Sequence, residues 1–584
     1  MRLLLYFPGR QYIISTGKNR GNREQERRLP GRRREWGMTI SALWGKLTAP
    51  DGWVAGHKSI ALFLLALALG LGLAAINVFP APDVATRYAP MAEAFAAGEW
   101  NYAFHPRIPM LHQTLAGCFC WLFGISGFAG CRLAAVLVFA LCVFPLYSLF
   151  RLVWNERVAW IGTFLYVICA ELQQIAGEGL RDNLKTLAVA LVALALVVLC
   201  RNARRTAVYG LLALGTAIGV TSRADLVVVL FLIWCAVGVW EIASRSFPWR
   251  TLAAAVLALA LMLPALLINW KMIGYPVPDS RYAALWQKVE LRLNPPLAAP
   301  PAAVPAPAAP ASGAEPAAES PLEALEVPGE SGFLPFSFGE LCDYVKTFFE
   351  GFYVWFGVPA LLAVIGRIRR REFSREEGVI AAVVVGHAVL VAAQILVHDR
   401  YLFLSTRYLT PVAPLAFGWS ALFGIRAWEE LKRWRPQWFT PAVLRGILAF
   451  LVLAFTGAAA GPVIKEHTSK KKSALYRGNV ELAGWIAADY RGPRYFEPEL
   501  DPFEYFSRKL PQVVVPRRFV QTGYLAGGSS CRFARGGGDY VLREKGEPVP
   551  DGGPWDMVRE FRCYKHDYQL WKKRPGAGRE GADL

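Results

Sequence analysis

The sequence predicts an all-α polytopic membrane protein with about 11 transmembrane helices, outer-face juxtamembrane helices and a small C-terminal α/β soluble domain. Three observations carry that prediction. Apolar residues make up 54% of the 584 residues and the mean hydropathy is +0.30, more than a soluble chain of this length would carry. Apolar windows of the length needed to cross about 30 Å of hydrocarbon recur from residue 60 to residue 460. From Gly461 to Leu584 the chain turns polar and mixes helical and strand-like patterns.

In chain order, residues 1–59 are a basic N-terminal arm and an amphipathic lead-in. The arm, with REQERRLPGRRRE, is either disordered or the product of a start placed too early, Met38 being the alternative, ahead of an amphipathic stretch from Ile40 to Leu47. No cleavable signal is expected, because the first apolar segment lies too far in and no small-residue cleavage pattern follows it. Residues 60–460 hold the expected spans: 60–79, 132–150, 158–176, 183–200, 206–220, 226–243, 251–270, 351–366, 378–397, 408–424 and 441–460.

With a cytoplasmic N-terminus, loops 151–157, 201–205, 244–250, 367–377 and 425–438 face the cytoplasm and carry 16 Lys or Arg in 44 residues. The opposite connections, 80–131, 177–182, 221–225 and 398–407, carry 6 in 73. Basic residues collect on the cytoplasmic side, which orients the chain. The stretch 110–130, MLHQTLAGCFCWLFGISGFAG, cannot then span without inverting every later loop. It is expected as helices at or dipping into the outer face, a setting that suits His112, Gln113 and its glycines.

The outer loop 271–350 contains an Ala/Pro-rich linker at 294–330, semi-extended and without a role in chemistry. Its flanks, KMIGYPVPDSRYAALW and FSFGELCDYVKTFFEGF, are either amphipathic covers of the outer face or aromatic anchors at headgroup level. Residues 461–584 read as a periplasmic α/β domain, with NVELAGWIAADY helical, RYFEPELDPFEYFSRKLPQVVVP strand and helix, and GGDYVLREKGE a strand. Cys118, Cys120, Cys131, Cys142, Cys169, Cys200 and Cys235 lie in or beside apolar segments without metal-ligand spacing and read as packing residues. Cys531 and Cys563 in the tail are a candidate disulfide if that tail lies outside the cytoplasm. The net charge of +19 follows from cytoplasmic loops and anionic headgroups, so nucleic acid is not an expected partner.

Charged residues interrupt the apolar pattern in four places: Asp83, Arg87, Glu93, His105 and Arg107 in the first outer loop; Glu178, Arg181, Asp182 and Lys185 in GEGLRDNLK; Arg223 and Asp225 in TSRAD; and His398, Asp399, Arg400 and Arg407, with Tyr408, in HDRYLFLSTRY. Any one alone reads as an interfacial ion pair at a helix end. Under the loop-charge topology all four fall on one face, which points to a polar cavity opening outward. Arginines at helix ends suit a phosphate, since the guanidinium offers forked donors and keeps its charge near lipid. A carboxylate at the mouth suits a general base that takes a proton from an acceptor hydroxyl. Together they fit transfer of a group from a lipid phosphate to an alcohol or amine.

The order of PDVATRY (Asp83, Tyr88), AAGEW then HPRIPML (His105, Pro106, Arg107, Pro109), GLRD (Arg181, Asp182) and STRYLTPVAPL (Arg407, Tyr408, Pro411, Pro414) resembles the GT-C superfamily of polytopic glycosyltransferases over roughly residues 60–425. That class includes protein O-mannosyltransferases and the aminoarabinose and related transferases acting on lipid A or lipopolysaccharide core. The resemblance implies an inverting transfer from a polyprenyl-phosphate sugar to a lipid, polysaccharide or protein acceptor at the outer face of the bacterial inner membrane. Asp83 would be the catalytic base. Glu178 or Asp182 would be the second acidic residue, which in metal-dependent relatives helps hold a divalent cation; Asp83 and Asp182 are the metal candidates here. Arg181 and Arg407 would contact the lipid phosphate, with Arg223 and Arg107 as further candidates, and Tyr88, His105 and Tyr408 as substrate contacts. His398 and Asp399 could supply ligands but read more simply as interfacial groups. Two other classes are weighed against this one: a transporter or flippase of lipid-linked substrates, and a non-catalytic envelope-assembly protein. Polar groups at helix ends on one face, without an internal repeat, favour the enzyme.

Overall fold

A computed structural model describes residues 57–77, 81, 83–104, 108–201, 206–223, 226–243, 248–273, 346, 354–398, 406–436, 440–489, 512–514, 532–534, 539–548, 555–563 and 565–574. The Ala/Pro-rich linker, nearly all of the N-terminal arm, His105, Arg107, Asp225, Asp399 and Cys531 lie outside the described residues, as does the side chain of His398.

The membrane region opens with α1 (Lys58–Ile76), then a π-helical turn Val84–Tyr88 that runs into α2 (Ala89–Ala96). The short α3 (Trp100–Ala103) and α4 (Leu111–Phe123) follow. Next come α5 (Gly127–Leu141), α6 (Val143–Val153), α7 (Glu156–Ile168), α8 (Ala170–Gly177), α9 (Asp182–Cys200) and α10 (Thr206–Ser222). The remainder are α11 (Leu226–Ala243), α12 (Trp249–Ile273), α13 (Val354–Arg369), α14 (Arg375–His398), α15 (Ala413–Trp434) and α16 (Pro441–Thr468). Each predicted window holds a helix. Among the described residues six helices are long and apolar enough to cross a bilayer, or seven if the bent pair α7 and α8 is one span; α10 is apolar but shorter.

Several boundaries differ from the sequence reading, α15 running Ala413–Trp434 against an expected 408–424 and α16 reaching Thr468 against 460, and those around α4 and α5 bear on the site. α4 stops at Gly124, whose φ of 63° is the left-handed conformation that favours glycine at a helix end. The second span then starts at Gly127 rather than at residue 132, as one 27-residue apolar stretch to Val153. Its start is set by two caps: the Ser126 side chain accepts from Ala129 N, and the Glu93 carboxylate accepts from Gly127 N at 2.7 Å. A Cβ at Gly127 would lie 2.0 Å from the Ala89 carbonyl oxygen, so only glycine lets α5 pass α2 here. The third window is broken, bending 52° at Cys169, where the backbone turns extended. The Gln173 side chain donates to the Val167 carbonyl at 2.9 Å, giving a partner to a carbonyl beside the break.

α9 is the axle of the bundle, with fifteen of its nineteen residues buried. It packs on α5, α6, α10 and α14. α11, α12 and α16 instead carry exposed large apolar residues such as Phe231, Leu252 and Phe450, as lipid-facing helices do. His112 and Gln113, expected at the interface, are buried where α4 packs on α2 and α5. Of the cysteines, Cys120, Cys131, Cys142 and Cys169 pack in the interior, while Cys118 and Cys235 are exposed.

Beyond the span, α16 continues to Thr468 and α17 (Lys470–Asp489) follows at once. α17 lies on a mixed five-stranded sheet of order β2-β1-β3-β5-β4, built from β1 (Gln512–Val514), β2 (Arg532–Ala534), β3 (Tyr540–Glu544), β4 (Trp555–Cys563) and β5 (His566–Lys573). β1 pairs in parallel with β2 and β3, while β5 runs antiparallel to both β3 and β4. Leu475, Leu482 and Ile486 of α17 close over Tyr540, Leu542, Phe561, Tyr568 and Leu570. The β4–β5 hairpin had not been foreseen. Cys563 is buried and free, its Sγ directed to the Ala474 carbonyl.

Candidate active site

The first residue of α9, Asp182, is fully buried, a position where an acid is favoured by the helix dipole but costly without partners. Its partners come from distant segments. Arg223, just after α10, donates from Nη1 to Oδ1 at 3.1 Å, and Arg407, in the short 3₁₀ turn Thr406–Tyr408, donates from Nη2 to Oδ2 at 2.7 Å. Arg407 also reaches outward: its Nη1 is 3.8 Å from Oδ2 of Asp83, the residue that starts the π-helical turn. Arg87, one turn on from Asp83, lies 3.8 Å from its other oxygen. Asp83 is 37% exposed while Asp182 is 0%. One guanidinium therefore joins an open carboxylate to a sealed one.

Supporting groups hold this arrangement. His387, inside α14, bonds through Nε2 to the Tyr408 carbonyl at 2.9 Å and so fixes the turn that carries Arg407. The Tyr408 ring lies under the Arg223 guanidinium at 4.8 Å and near the Lys185 ammonium at 5.7 Å. Arg181 sits 5.4 Å over the ring of Tyr88, and its Nη1 is buried with no hydrogen-bond partner among the described residues. Tyr88 itself is 2% exposed and packs edge-on against His112 at 5.3 Å. His112 Nε2 donates to the carbonyl of Gly179, in the left-handed turn (φ 79°) between α8 and α9. Asn183 donates to the Ala135 carbonyl at 3.4 Å, pinning the start of α9 to α5.

Burial shifts the groups outside the spans. It lowers His112 to about 4, against the opposing pull of the Gly179 carbonyl, so the ring is neutral at physiological pH. It raises the Tyr88 phenol, with Arg181 opposing and Asp83 adding to the rise. For Arg407 burial disfavours the charge, but Asp182 and then Asp83 outweigh it and the group is raised above its ordinary value.

The structure thus brings Asp83, Asp182, Arg223 and Arg407 into direct contact, with Arg181, Tyr88 and Tyr408 beside them. Glu178 caps the C-terminus of α8. His105 and Arg107 lie outside the described residues. Two candidates change character. Asp182, read as catalytic, is closed off from solvent by its own arginines, and Tyr88, read as a substrate contact, is the buried platform of Arg181. Lys185, His387 and the tie from His112 to Gly179 had been given no role. Lys185 was legible as the i+3 neighbour of Asp182 on one helix face, and His387 as a polar residue inside the apolar run VVVGHAVLV.

As for a divalent cation, Asp83 and Asp182 are a poor fit. A hard cation takes six or more oxygens, whereas both oxygens of Asp182 already accept from guanidinium groups. Among the described residues no group of three or more His, Cys, Asp or Glu could hold a metal ion.

Residues 105–268 match the family model described as dolichyl-phosphate-mannose-protein mannosyltransferase. That stretch includes Arg181, Asp182, Lys185 and Arg223 but not Asp83 or Arg407. No curated protein matches the chain. Solved structures similar to it include ArnT from Cupriavidus metallidurans in the apo state, 13% identical over 88% of this chain and 98% of that one with a TM-score of 0.49. The same protein bound to undecaprenyl phosphate is 14% identical over 88% and 97%, also at 0.49. The oligosaccharyltransferase AglB from Archaeoglobus fulgidus, in complex with an inhibitory peptide and a dolichol-phosphate, is 14% identical over 81% of this chain and 64% of that one, at 0.42.

Proposed function

We propose that the chain is an inverting GT-C glycosyltransferase moving a sugar from a polyprenyl-phosphate donor, a reading supported by the match of residues 105–268 to the family model described as dolichyl-phosphate-mannose-protein mannosyltransferase. The acceptor is a lipid, polysaccharide or protein at the outer face of a bacterial inner membrane, with the N-terminus cytoplasmic and the tail domain periplasmic. The observation that carries this reading is Arg407 held between the exposed carboxylate of Asp83 and the buried one of Asp182.

The chemistry follows from that pairing. Asp83 takes the proton of the acceptor hydroxyl as its oxygen attacks the anomeric carbon. The bond from that carbon to the phosphate oxygen breaks, and its electron pair leaves with the phosphate. Arg181, Arg223 and Arg407 stabilise the charge that develops there, in a setting where water competes poorly. Planar guanidinium groups suit the phosphate oxygens because they offer paired donors and stay charged.

Asp83→Asn tests the base. In membranes supplied with a polyprenyl-phosphate sugar, transfer is expected to fall by about 10³-fold or more while undecaprenyl phosphate still binds. Intact transfer by Asp83→Asn would remove Asp83 from this role. Mass spectrometry of glycolipids and glycoproteins from cells with and without the gene identifies the sugar and its acceptor; unchanged glycans in both classes would favour an assembly protein.

A further inference from the structure

We propose that Asp182 is a positioning residue, which organises the donor-phosphate arginines Arg223 and Arg407 from behind; this rests on the function proposed above. The residue is fully buried, so no acceptor or donor atom reaches it. Its two oxygens are divided, one to a guanidinium 41 residues away and the other to one 225 residues away. α9 is the most enclosed helix of the bundle, and its first turn is pinned through Asn183, so the carboxylate is a fixed point on which two chain segments converge.

What each arginine presents on its other side follows from that grip. Arg407 spends Nη2 on Asp182 and turns Nη1 toward Asp83 and the open side of the cluster. Arg223 spends Nη1 on Asp182 while its guanidinium carbon sits 4.8 Å over the Tyr408 ring. Lys185, buried one turn along α9, is a third cation beside the same carboxylate. One buried acid thus faces three cations, and Arg181 adds a fourth nearby. Asp182 offsets part of their mutual repulsion and so gathers these cations at one point, within reach of a phosphate. A carboxylate that touched the reacting atoms would need the exposure that Asp83 has and Asp182 lacks.

The test uses the full chain in lipid nanodiscs and two readouts, binding of undecaprenyl phosphate and steady-state transfer with varied donor. In Asp182→Asn the donor KM is expected to rise, and undecaprenyl phosphate binding to weaken, each by about tenfold or more, while kcat at saturating donor stays within about threefold. Because Asp182 acts through Arg407 and Arg223, the double variant Asp182→Asn/Arg407→Lys should raise the donor KM by clearly less than the product of the two single effects, and Asp182→Asn added to Arg223→Lys/Arg407→Lys should raise it little further, whereas Asp182→Asn combined with Arg181→Lys should approach the product. Should the Asn variant fail to fold, Asp182→Glu keeps the charge but displaces the grip by one methylene, and the same split is expected at smaller size. A fall in kcat with unchanged donor KM and binding would make Asp182 part of the reaction itself and overturn the proposal. A lower active fraction with an unchanged donor KM, or a multiplicative effect with Arg407→Lys, would overturn it too. Absence of transfer by the wild-type chain from polyprenyl-phosphate sugars would instead count against the functional reading, and the binding readout would still decide the role of Asp182.

Discussion

Two fully buried carboxylates lie toward opposite ends of this bundle, and their surroundings differ in kind. Glu377, in the first turn of α14, accepts from the indoles of Trp154 at 2.9 Å and Trp419 at 3.1 Å, and pairs with Arg367 at 2.7 Å. With Ser374 it also forms a reciprocal capping box, Ser374 N donating to the carboxylate and Glu377 N to the Ser374 hydroxyl. One acid meets one close cation, and neutral donors fill the rest. Asp182 meets Arg223, Arg407 and Lys185, while Arg407 also faces Asp83. The ends are linked through α9, whose far terminus carries Arg201, paired with Glu376 at 2.8 Å beside Glu377. A buried acid met by one close cation and neutral donors ties helices together; one gripped by guanidinium groups from two distant segments also fixes where those groups stand.

The largest effect expected from this contrast is on folding. Where α13, α14 and α15 meet, Glu377→Gln removes the charged acceptor of two indoles and the close carboxylate of Arg367, leaving that arginine the longer pairing with Glu372 at 3.5 Å, and should cost about 3–5 kcal/mol. Unfolding in detergent followed by a lowered melting midpoint reads that loss, while kcat and donor KM per folded molecule stay at wild-type values because the cluster proposed to bind the donor lies at the other end of α9. A Glu377→Gln chain with wild-type stability but altered donor KM would break the comparison.

How much of this was legible in the sequence depends on the range of each interaction. The helices were, because an apolar run long enough to cross the bilayer must pair its backbone internally. So were Asp83, Arg181, Asp182, Arg223 and Arg407 as a set, because charge inside apolar sequence stands out. Who pairs with whom was not: Arg407 reaches Asp182 across 225 residues, and nothing local in STRY or GLRD distinguishes a buried acid from an exposed one. The start of α5 was misplaced because one of its caps, Glu93, lies 34 residues upstream. The bend at Cys169 carries no proline or glycine at the break, so no punctuation announces it. The hairpin of β4 and β5 hid because WDMVREFRC and HDYQLWKK alternate polar with aromatic and aliphatic residues, and much of β4 is exposed.

The next effect in size concerns the neutral support beneath the cluster and depends on pH. His112 has a folded value near 4, below its ordinary 6.5, because burial disfavours the imidazolium. Between those values the unfolded chain binds a proton that the folded chain does not, so stability is full above about 6.5 and falls as the pH drops toward 4. The difference corresponds to about 3 kcal/mol. His112→Gln, which keeps a donor for the Gly179 carbonyl but does not titrate, should flatten that acid limb in melting midpoints taken from pH 7 to pH 4. A limb of the same depth in His112→Gln would assign the acid sensitivity to another group.

The smallest effect sharpens the distinction between structural and functional charge. Arg181 has no carboxylate partner at hydrogen-bond distance among the described residues; it rests on Tyr88, and a buried edge of its guanidinium makes no hydrogen bond among them. A donor left unpaired in this way is costly to the empty protein and is satisfied when an anion arrives. Arg181→Gln keeps the length and some hydrogen-bonding capacity but loses the charge, so folding stability should change by less than about 1 kcal/mol. Donor KM should rise about tenfold, equivalent to about 1.4 kcal/mol, with kcat little changed. A melting midpoint depressed as far as that of Glu377→Gln, with donor KM unmoved, would place Arg181 with the structural pairs. The reverse pattern would mean that in this bundle the missing partner, rather than burial, separates a side chain that waits for a ligand from one that holds the fold.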